Sequence, residues 1–385
     1  MLHFDFYNPT RIVFGAGSVE RLNELVPADA RVLILYGGES ARKNGTLAEV
    51  QNALGARAFE EFGGIEPNPS FETLMGAVQL IREKGFDFLL AVGGGSVIDG
   101  TKFVAAAALY DGDPWTILET RGAGIARALP FGSVLTLPAT GSEMNNGAVI
   151  TRKATQAKLA FMSPQVFPQF SVLDPTKTYT LPERQLANGV VDAFVHVVEQ
   201  YLTYPVDARV QDRFAEGLLQ TLIEIGPQAI AQPAIPEARA NLMWTATLAL
   251  NGLIGAGVPQ DWSTHMIGHE LTALHNIDHA RTLAIVLPAN LQVRREAKRA
   301  KLLQYATRVW NLTEGSEDQR IDTAIERTRR FFESLGVGTR LADHGLGATD
   351  IDALIGQLEA HHMTGLGERN DVTLDVSRRI LEASL

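Results

Sequence analysis

The residues of this sequence best suited to chemistry are histidines and one aspartate. Of nine histidines in the chain, four fall within a single window, at His265, His269, His275 and His279. Upstream, the segment VVDAFVHVV (190–198) contains only two polar residues, Asp192 and His196. Their i, i+4 spacing places both on one face of a predicted helix that is otherwise apolar all round.

Burying a carboxylate and an imidazole in an apolar helix is costly unless something compensates them. A divalent cation is a natural partner, because one carboxylate and three imidazoles form a complete ligand set for Zn²⁺ or Fe²⁺. Two other interpretations remain open from the residues alone. Asp192 and His196 could pair with each other as a core ion pair, or the histidine window could decorate an exposed helix.

A glycine-rich turn is the strongest local pattern in the first half of the chain. In AVGGGSVIDGTK (91–102) a buried strand is predicted to end at Val92, three glycines follow, and Ser96 is expected to start a helix. Glycines let the backbone approach a phosphate, and N–H groups at a helix start attract anions. Asp99, expected in the first turn, could cap those N–H groups or bind a ribose hydroxyl. The alternative is a tight strand-to-helix turn with a serine cap.

The elements around these motifs predict two architectures in one chain. Short β-rich runs at 31–36, 86–92, 133–138 and 170–174 alternate with helical patterns, which favours a parallel sheet covered on both faces. The stretch 148–162 indicates a hairpin. From Pro182 onward the patterns are almost entirely helical. We therefore expect an α/β dinucleotide-binding domain over residues 1–181 and an all-α metal-binding domain over 182–385.

Composition narrows the function classes further. The 385 residues include no cysteine, which excludes disulfides, thiolate metal clusters and cysteine nucleophiles, so any metal must be held by histidine and carboxylate. The net charge of −10 is not accompanied by a basic stretch, so a nucleic-acid partner is not expected. No signal-peptide pattern and no apolar run long enough to span a membrane are present. The expected compartment is the cytoplasm.

Taken in order, these motifs resemble those of the iron-containing alcohol dehydrogenases. The set comprises FGGIEPNP (62–69), GGGSxxD (93–99), PATGSE (138–143), DxxxH, HxxxH and a further histidine ten residues on. Segments such as LTLPATGSE and NGVVDAFVH are most similar to those of the NADPH-dependent aldehyde reductase and butanol dehydrogenase subgroup. The resemblance covers essentially the whole chain. It implies a dehydroquinate-synthase-like fold, with a Rossmann-like first domain and with cofactor and metal in the cleft between the domains.

The resemblance also assigns site residues. It implies metal ligands at Asp192, His196, His265 and His279, and it places His269 as a site-lining, catalytic residue that is not a ligand. The positions it implies for the cofactor, NADP(H), are Gly38, Ser40, Asn68, Gly94, Gly95, Ser96, Asp99, Thr136, Ser142, Asn145, Gly147, Lys158 and Thr180. One departure concerns Glu39, since close relatives have glycine at that place, near the expected position of the adenosine 2′-phosphate.

The function expected from the residues and the resemblance is reduction of short aldehydes to alcohols by a homodimeric, NADP-linked enzyme. The metal, zinc or iron, acts as a Lewis acid on the carbonyl oxygen while the cofactor supplies the hydride. NADPH is preferred because no aspartate ends the strand RVLILY to bind both ribose hydroxyls. The alternatives are metal-assisted hydrolysis, which leaves the glycine turn without a role, an NAD-linked glycerol- or lactaldehyde-type dehydrogenase, and a non-catalytic metal- or nucleotide-binding protein.

Overall fold

The chain folds into two compact units. The structure, a computed structural model, describes all residues from Met1 to Leu385. One unit comprises Tyr7–Leu181, and the other comprises Pro182–Leu385 together with Met1–Phe6. The first six residues therefore cluster with the helical second half, where the Leu2 backbone N–H donates to the carbonyl of Gly257 at 2.9 Å.

A six-stranded parallel sheet forms the centre of the α/β unit. Its strands, in chain order, are β1 (Arg11–Phe14), β2 (Val32–Tyr36), β3 (Phe59–Phe62), β4 (Phe88–Gly94), β5 (Phe131–Leu137) and β8 (Phe170–Leu173). Their order across the sheet is β1-β8-β5-β4-β2-β3. Every residue of β2 is buried, and so is almost every residue of β4, as expected for strands covered on both faces. The predicted parallel sheet is confirmed.

Helices and one separate hairpin complete this unit. The helices are α1 (Leu22–Leu25), α2 (Ser40–Lys43), α3 (Thr46–Leu54), α4 (Phe71–Lys84), α5 (Gly95–Ala107) and α6 (Thr116–Glu119). The predicted hairpin is present, as β6 (Gly147–Arg152) paired antiparallel with β7 (Ala157–Met162). After β2 the chain adds β3 on one side and then returns past β2 to place β4 on the other. In open parallel sheets, ligands bind at the carboxyl ends of strands where the order reverses in this way.

The second unit is helical, as predicted. Its helices are α7 (Glu183–Tyr201), α8 (Arg209–Ala229), α9 (Pro236–Ala249), α10 (Ser263–His275), α11 (His279–Val293), α12 (Arg299–Arg308), α13 (Glu317–Ser334), α14 (Ile351–Ala360) and α15 (Leu374–Glu382). The one departure from an all-helical unit is a short antiparallel pair, β9 (Gly365–Leu366) with β10 (Val372–Thr373). None of the helices combines the length and the apolar character needed to cross a bilayer.

Helix α7 lies in the core of this unit. It is buried continuously from Gly189 to Tyr201, because apolar residues occupy every side of the helix over most of that length. A helix that is apolar all round must be enclosed by others, and α8, α9 and α11 all pack against it. Any polar side chain on this part of α7 therefore faces protein rather than solvent, which sets the conditions for the candidate site.

Candidate active site

One face of α7 carries the polar side chains on which the helical part of the site is built. Asp192 and His196 lie at the predicted spacing, and both are buried. The same four-residue spacing runs backwards to Asn188 and Arg184, and Glu199 follows His196 by three positions. Residues three and four apart share a helix face, so these five form one row, which we call the α7 stripe.

Three imidazole nitrogens converge on a single carboxylate oxygen of the α7 stripe. The Nε2 atoms of His196, His265 and His279 lie 3.7, 3.9 and 3.8 Å from Oδ1 of Asp192. These distances are longer than hydrogen bonds. Asp192, His265 and His279 each offer one ligand atom within 4.8 Å of the others, and the His196 ring stacks on that of His265 with centroids 4.7 Å apart.

The donor set fits a divalent metal ion. Oδ1 of Asp192 is buried and accepts no hydrogen bond, which is costly for a carboxylate oxygen unless a cation faces it. Tetrahedral ligand atoms bonded to Zn²⁺ at about 2.0–2.2 Å lie roughly 3.3–3.6 Å apart, slightly closer than the observed 3.7–3.9 Å. Asp192 and His196 lie within ion-pair distance of each other at 3.7 Å, as the alternative interpretation expected, but no hydrogen bond joins them and Oδ1 of Asp192 accepts none.

Glu199 holds His265 from the far side of its ring. One carboxylate oxygen, Oε2, contacts Nδ1 of His265, and the other, Oε1, accepts the backbone N–H of Thr264 at 2.7 Å. Burial raises the pKa of Glu199 well above its ordinary value, and the negative charge of Asp261 raises the pKa further. The two hydrogen bonds replace part of the hydration that this buried group gives up.

The opposite end of the α7 stripe positions His279. The residue before it, Asp278, accepts hydrogen bonds on Oδ2 from Nε of Arg184 and Nδ2 of Asn188, both at 2.9 Å. His279 is the first residue of α11, so anchoring Asp278 anchors the start of that helix against α7. The stripe therefore both supplies two candidate ligands and positions the other two.

His269 and Trp262 line the same region. His269 is buried one turn after His265, and its ring centroid lies 5.1 Å from that of His279 and 6.2 Å from that of His265. The spacing leaves His269 beside the converging nitrogens without joining the group of three close ligand atoms. Trp262 presents its indole edge-on to His265 at 5.3 Å, which adds an apolar wall that sequence reasoning did not anticipate.

In the α/β unit, the glycine turn is a tightly packed strand-to-helix junction. Strand β4 ends at Gly94, and α5 begins at Gly95, one residue before the predicted start, with no side chain capping its first turn. A Cβ on Gly95 would lie 2.3 Å from Oγ1 of Thr140, which has no flexible chain with which to withdraw. The glycine is therefore required for close approach of the PATGSE loop, and the N–H groups at the start of α5 carry no side-chain cap.

Lys102 ties together the loop that follows strand β5. Its Nζ, fully buried, donates to Oγ of Ser142 at 2.9 Å, to Oδ1 of Asn145 at 2.8 Å and to the carbonyl of Gly147 at 2.7 Å. Burial lowers the pKa of Lys102 to about 8, and the charges of Asp99 and Glu143 oppose that shift. Three predicted cofactor residues are thus brought together by a lysine that sequence reasoning did not single out.

Asp99 is held inside the same network. Its Oδ1 accepts the hydroxyl of Ser142 at 2.5 Å, and its Oδ2 accepts the backbone N–H of Val149 at 2.9 Å. Burial raises the pKa of Asp99, and Lys102 is the strongest of the groups that oppose it. The prediction that Asp99 caps N–H groups in the first turn of the helix is wrong, because α5 begins at Gly95 and the carboxylate points to Ser142 and Val149. A role on the ribose stays a prediction.

A second group of predicted cofactor residues meets beside the glycine turn. The backbone N–H of Asn68 donates to Oγ of Ser96 at 3.3 Å, and Nζ of Lys158 donates to Oδ1 of Asn68 at 2.9 Å. Asn68 adopts a left-handed backbone conformation with φ of 55°, a region that asparagine tolerates better than most residues. The turn EPNP thereby carries Asn68 to the helix start.

The remaining predicted cofactor residues lie outside these two groups. Gly38 and Ser40 are exposed at the carboxyl end of β2, and Thr180 is exposed after the last strand. Thr136 is the extra residue of a bulge, since the β4–β5 register steps from Gly93–Leu135 to Gly94–Leu137. Their part in nucleotide binding stays a prediction.

The surroundings of Glu39 are simple. The side chain is exposed at the start of α2. The neighbouring cation, Arg42, donates a hydrogen bond to the hydroxyl of Tyr36 at 2.7 Å and also forms an ion pair with Glu61. The guanidinium of Arg42 is therefore already engaged by Tyr36 and Glu61.

Two family models match this chain, and together they cover most of its length. A model of the iron-containing alcohol dehydrogenases matches residues 9–175, and one of the C-terminal part of the Fe-containing alcohol dehydrogenase family matches residues 186–376. The chain belongs to the iron-containing alcohol dehydrogenase family. The resemblance inferred from the motifs is confirmed.

Similar full-length proteins belong to the expected subgroup. The chain is 64% identical to the NADPH-dependent aldehyde reductase YqhD of Escherichia coli, with 100% of both chains covered. It is 42% identical to a probable NADH-dependent butanol dehydrogenase of Bacillus subtilis, again over 100% of both. Among solved structures, the substrate- and cofactor-free aldehyde reductase YqhD of E. coli superposes with a TM-score of 0.94 over 100% of both chains. A NADH-dependent butanol dehydrogenase of Thermotoga maritima, 35% identical, superposes with a TM-score of 0.95 over 100% of this chain and 99% of that one.

Several functional residues were missed by sequence reasoning, although the sequence contained a signal for some. The four-residue spacing of Asp192 and His196 extends back to Asn188 and Arg184, and Glu199 lies just beyond the apolar segment in which the pair was noticed. The partners of these residues on other helices could not be seen from spacing. For Lys102, the only signal in the sequence was its position three residues after Asp99.

Proposed function

We propose that this protein is a metal-dependent, NADP(H)-linked alcohol dehydrogenase that acts as an aldehyde reductase on short-chain aldehydes and primary alcohols. The observation that carries the proposal is the convergence of three Nε2 atoms on the buried Oδ1 of Asp192, at 3.7–3.9 Å. The 64% identity with an NADPH-dependent aldehyde reductase over the whole chain supports the substrate class.

The residues that would hold the metal are Asp192, His196, His265 and His279. When bound, a zinc or iron ion supplies Lewis-acid polarisation of the carbonyl oxygen. The ligands suit that chemistry, because a single carboxylate among neutral imidazoles leaves a divalent ion with net positive charge. The buried setting of Asp192 and His265 keeps water from screening that charge.

His269 is the residue placed to move a proton. It lies one turn from His265 on the same side of α10, and its ring is close to that of His279 at the start of α11. Reduction of a carbonyl needs one proton at the oxygen in addition to the hydride at carbon, and imidazole is suited to that transfer near neutral pH. The hydrogen bond that His269 would donate to the carbonyl oxygen would also orient the carbonyl group.

The α/β unit would hold the cofactor, whose nicotinamide supplies the hydride. The start of α5 offers backbone N–H groups to the phosphates, with Gly95 permitting the close approach. Asn68, oriented by Lys158, would face the nicotinamide-side ribose. The network of Lys102 with Ser142, Asn145 and Gly147 holds the loop that flanks the turn.

We further propose that NADPH is preferred over NADH. Strand β2 ends at Tyr36 without an aspartate to accept both adenosine ribose hydroxyls, and Gly38 and Ser40 present N–H and hydroxyl donors. Glu39 is exposed, so its carboxylate would point to solvent and leave the phosphate position open. A second candidate, an NADH-linked butanol dehydrogenase, is favoured by the NADH-dependent relatives at 42% and 35% identity.

The proposed assembly is a homodimer in the cytoplasm. Strand β1 lies at the edge of the sheet, and the side chain of Phe14 on that strand is 44% exposed. An exposed strand edge with an aromatic side chain is a surface that a second copy can cover. Light scattering of the purified protein would give the mass of a dimer, and a monomer mass would contradict this part.

The function is tested by following oxidation of NADPH and NADH with aldehydes of two to six carbons, before and after chelation. NADPH oxidation that chelation abolishes and Zn²⁺ or Fe²⁺ restores is the expected result. Activity unaffected by chelation would contradict the metal, and no activity on any aldehyde would contradict the substrate class. The cofactor assignment predicts higher kcat/KM with NADPH, little changed in Glu39→Gly. A wild type that favours NADH and reverses in Glu39→Gly would mean that Glu39 binds the ribose.

A further inference from the structure

Glu199 is a buried carboxylate whose two oxygens serve two different partners on α10. Oε1 accepts the backbone N–H of Thr264, the second residue of the helix, at 2.7 Å. Oε2 contacts Nδ1 of His265, the third residue. Both contacts join positions at least 65 apart in the chain. One side chain of α7 thus controls the start of α10 and the ring of a proposed metal ligand.

Capping alone does not account for a charged residue at this place. The start of α10 is already capped by Asp261, whose Oδ1 accepts the backbone N–H of Ser263 at 3.1 Å. Asp261 is compensated by Lys298 and Arg294, at 2.7 and 3.0 Å. Glu199 has no cation in direct contact and lies close to the carboxylate of Asp261, so its burial is unfavourable unless its hydrogen bonds and the nearby charges of His196 and Lys298 offset it. The contact of Oε2 with His265 is the interaction that a neutral helix cap would not provide.

The contact determines which nitrogen of His265 faces the other ligands. A carboxylate oxygen at Nδ1 favours the tautomer in which Nδ1 carries the proton, and in that tautomer Nε2 is left with its lone pair. That Nε2 lies 3.9 Å from Oδ1 of Asp192. A histidine that binds metal commonly donates its other N–H to a carboxylate, which sets both the tautomer and the ring orientation.

We propose that Glu199 is a positioning residue for the metal site, which holds His265 in the tautomer protonated on Nδ1 and aims its Nε2 at the ion. The proposal rests on the metal site of the proposed function, but it is a separate claim about how strongly that site binds. Glu199 acts through His265 and touches neither substrate nor cofactor.

The variant Glu199→Gln separates these roles, because glutamine has the shape of glutamate but only one acceptor oxygen. If the amide oxygen accepts the Thr264 N–H, the amide NH₂ faces Nδ1 of His265 and favours the opposite tautomer, in which Nε2 carries the proton. If the amide turns over, the NH₂ group meets the Thr264 N–H instead. In the first case His265 is less suited to bind through Nε2, and in the second the start of α10, which carries His265, loses the acceptor of the Thr264 N–H.

A matched control for Glu199 exists on α10, the helix that carries His265. Glu270 is equally buried, and its Oε1 contacts Nδ1 of His361 at 2.8 Å. It therefore repeats the pairing of a buried glutamate with a histidine Nδ1, but His361 is not a proposed ligand. Glu270→Gln tests the general effect of removing such a carboxylate from the helical unit.

The experiment measures the dissociation constant of Zn²⁺, by competition with a chelator, for the wild-type protein and both variants. Glu199→Gln is expected to bind Zn²⁺ about 10- to 100-fold more weakly, with Glu270→Gln unchanged. Equal Zn²⁺ affinity in Glu199→Gln and wild type would overturn the proposal. A wild type that binds no Zn²⁺ would instead contradict the proposed function.

A second measurement does not depend on the folding of Glu199→Gln. The ¹⁵N spectrum of histidine-labelled wild type, in metal-free and Zn²⁺-loaded forms, reports which ring nitrogen carries the proton, and His265 is assigned by its loss in His265→Asn. The expected tautomer is protonated on Nδ1 in both forms. A metal-free His265 protonated on Nε2 would overturn the proposal, since Glu199 would then not select the tautomer.

Discussion

The two units of the chain use the polar side chains of their predicted sites in different ways. In the helical unit three histidine side chains converge on Oδ1 of Asp192, and that oxygen accepts no hydrogen bond. The arrangement suits a bound cation that the protein itself does not supply. In the α/β unit the side chains predicted to bind cofactor bond mainly to each other, as with Asp99 and Ser142 at 2.5 Å. There the backbone N–H groups at the start of α5 carry no side-chain cap.

The difference reflects the sizes of the two proposed ligands. A metal ion is small and needs four groups aimed at one point, which only side chains from several helices provide. A dinucleotide is long and anionic, and N–H groups at a helix start suit its phosphates once the loops around them are rigid. Under the proposed function, the side chains of the α/β unit would shape a binding surface made by the backbone, whereas those of the helical unit would bind the ion directly.

The largest loss of activity is expected when one of the converging histidines is replaced. His265→Ala should remove the bound metal and lower kcat by at least about 10²-fold, because the Lewis acid supplies several kcal/mol. NADPH affinity should stay close to that of wild type, since the nucleotide is held by the other unit. Elemental analysis and cofactor titration measure both, with His275→Ala on the same helix as control. A His265→Ala protein that keeps stoichiometric metal would contradict the ligand assignment.

A smaller loss is expected when the neighbouring His269 is replaced. His269→Ala should keep its metal but lose about 10²-fold in kcat, the lower end of the range for removal of a proton-transfer group. Metal content and kcat measured on the same preparation separate the two effects. If the variant purifies without metal, His269 is a ligand and its catalytic assignment is wrong.

In the α/β unit, the sharpest test of the proposed phosphate site is a methyl group added at Gly95. Gly95→Ala places a Cβ 2.3 Å from Oγ1 of Thr140, so the start of α5 must move and NADPH affinity should fall by about tenfold while metal content is unchanged. Gly217→Ala is the control, because a Cβ there meets nothing within 4 Å. An unchanged dissociation constant for NADPH in Gly95→Ala would show that the phosphates do not rely on this helix start.

The smallest effect is expected at Glu66, which holds the turn before Asn68. Burial acts to raise the pKa of Glu66, but hydrogen bonds from Lys153, Thr73 and Ser70 outweigh it and lower the pKa from 4.5 to about 2. Because the folded-state pKa is depressed, these bonds add stability above pH 4.5 that is lost as the pH falls toward about 2.

The measurement is urea unfolding of wild type and Glu66→Gln between pH 6 and pH 2.5. We expect Glu66→Gln to unfold at slightly lower urea at pH 6, with the two midpoints converging as the pH falls. The effect is small because the ion pair with Lys153 is partly exposed. Midpoints that stay apart by the same amount at every pH would show that the carboxylate charge contributes nothing.

Much of the fold was predictable because its causes are local. Near-continuous apolar runs predicted the buried strands β2 and β4, and the change to helical periodicity near Pro182 predicted the second unit. The prediction was less accurate at element ends, where α5 starts at Gly95 rather than Ser96. The backbone at such junctions is set by contacts such as that of Gly95 with Thr140, which no local pattern records.

The sequence by itself determined which groups were available for chemistry: histidine and carboxylate without cysteine, a helix with Asp192 and His196 on one face, and a glycine turn after a buried strand. The tertiary structure alone decided how they are used. It turned Asp99 inward to Ser142 and Val149, and it brought Glu199 to His265 across 66 positions of chain. The physical reason is that hydrogen bonding and ligand convergence depend on distances between helices, whereas a sequence pattern reports only the spacing within one.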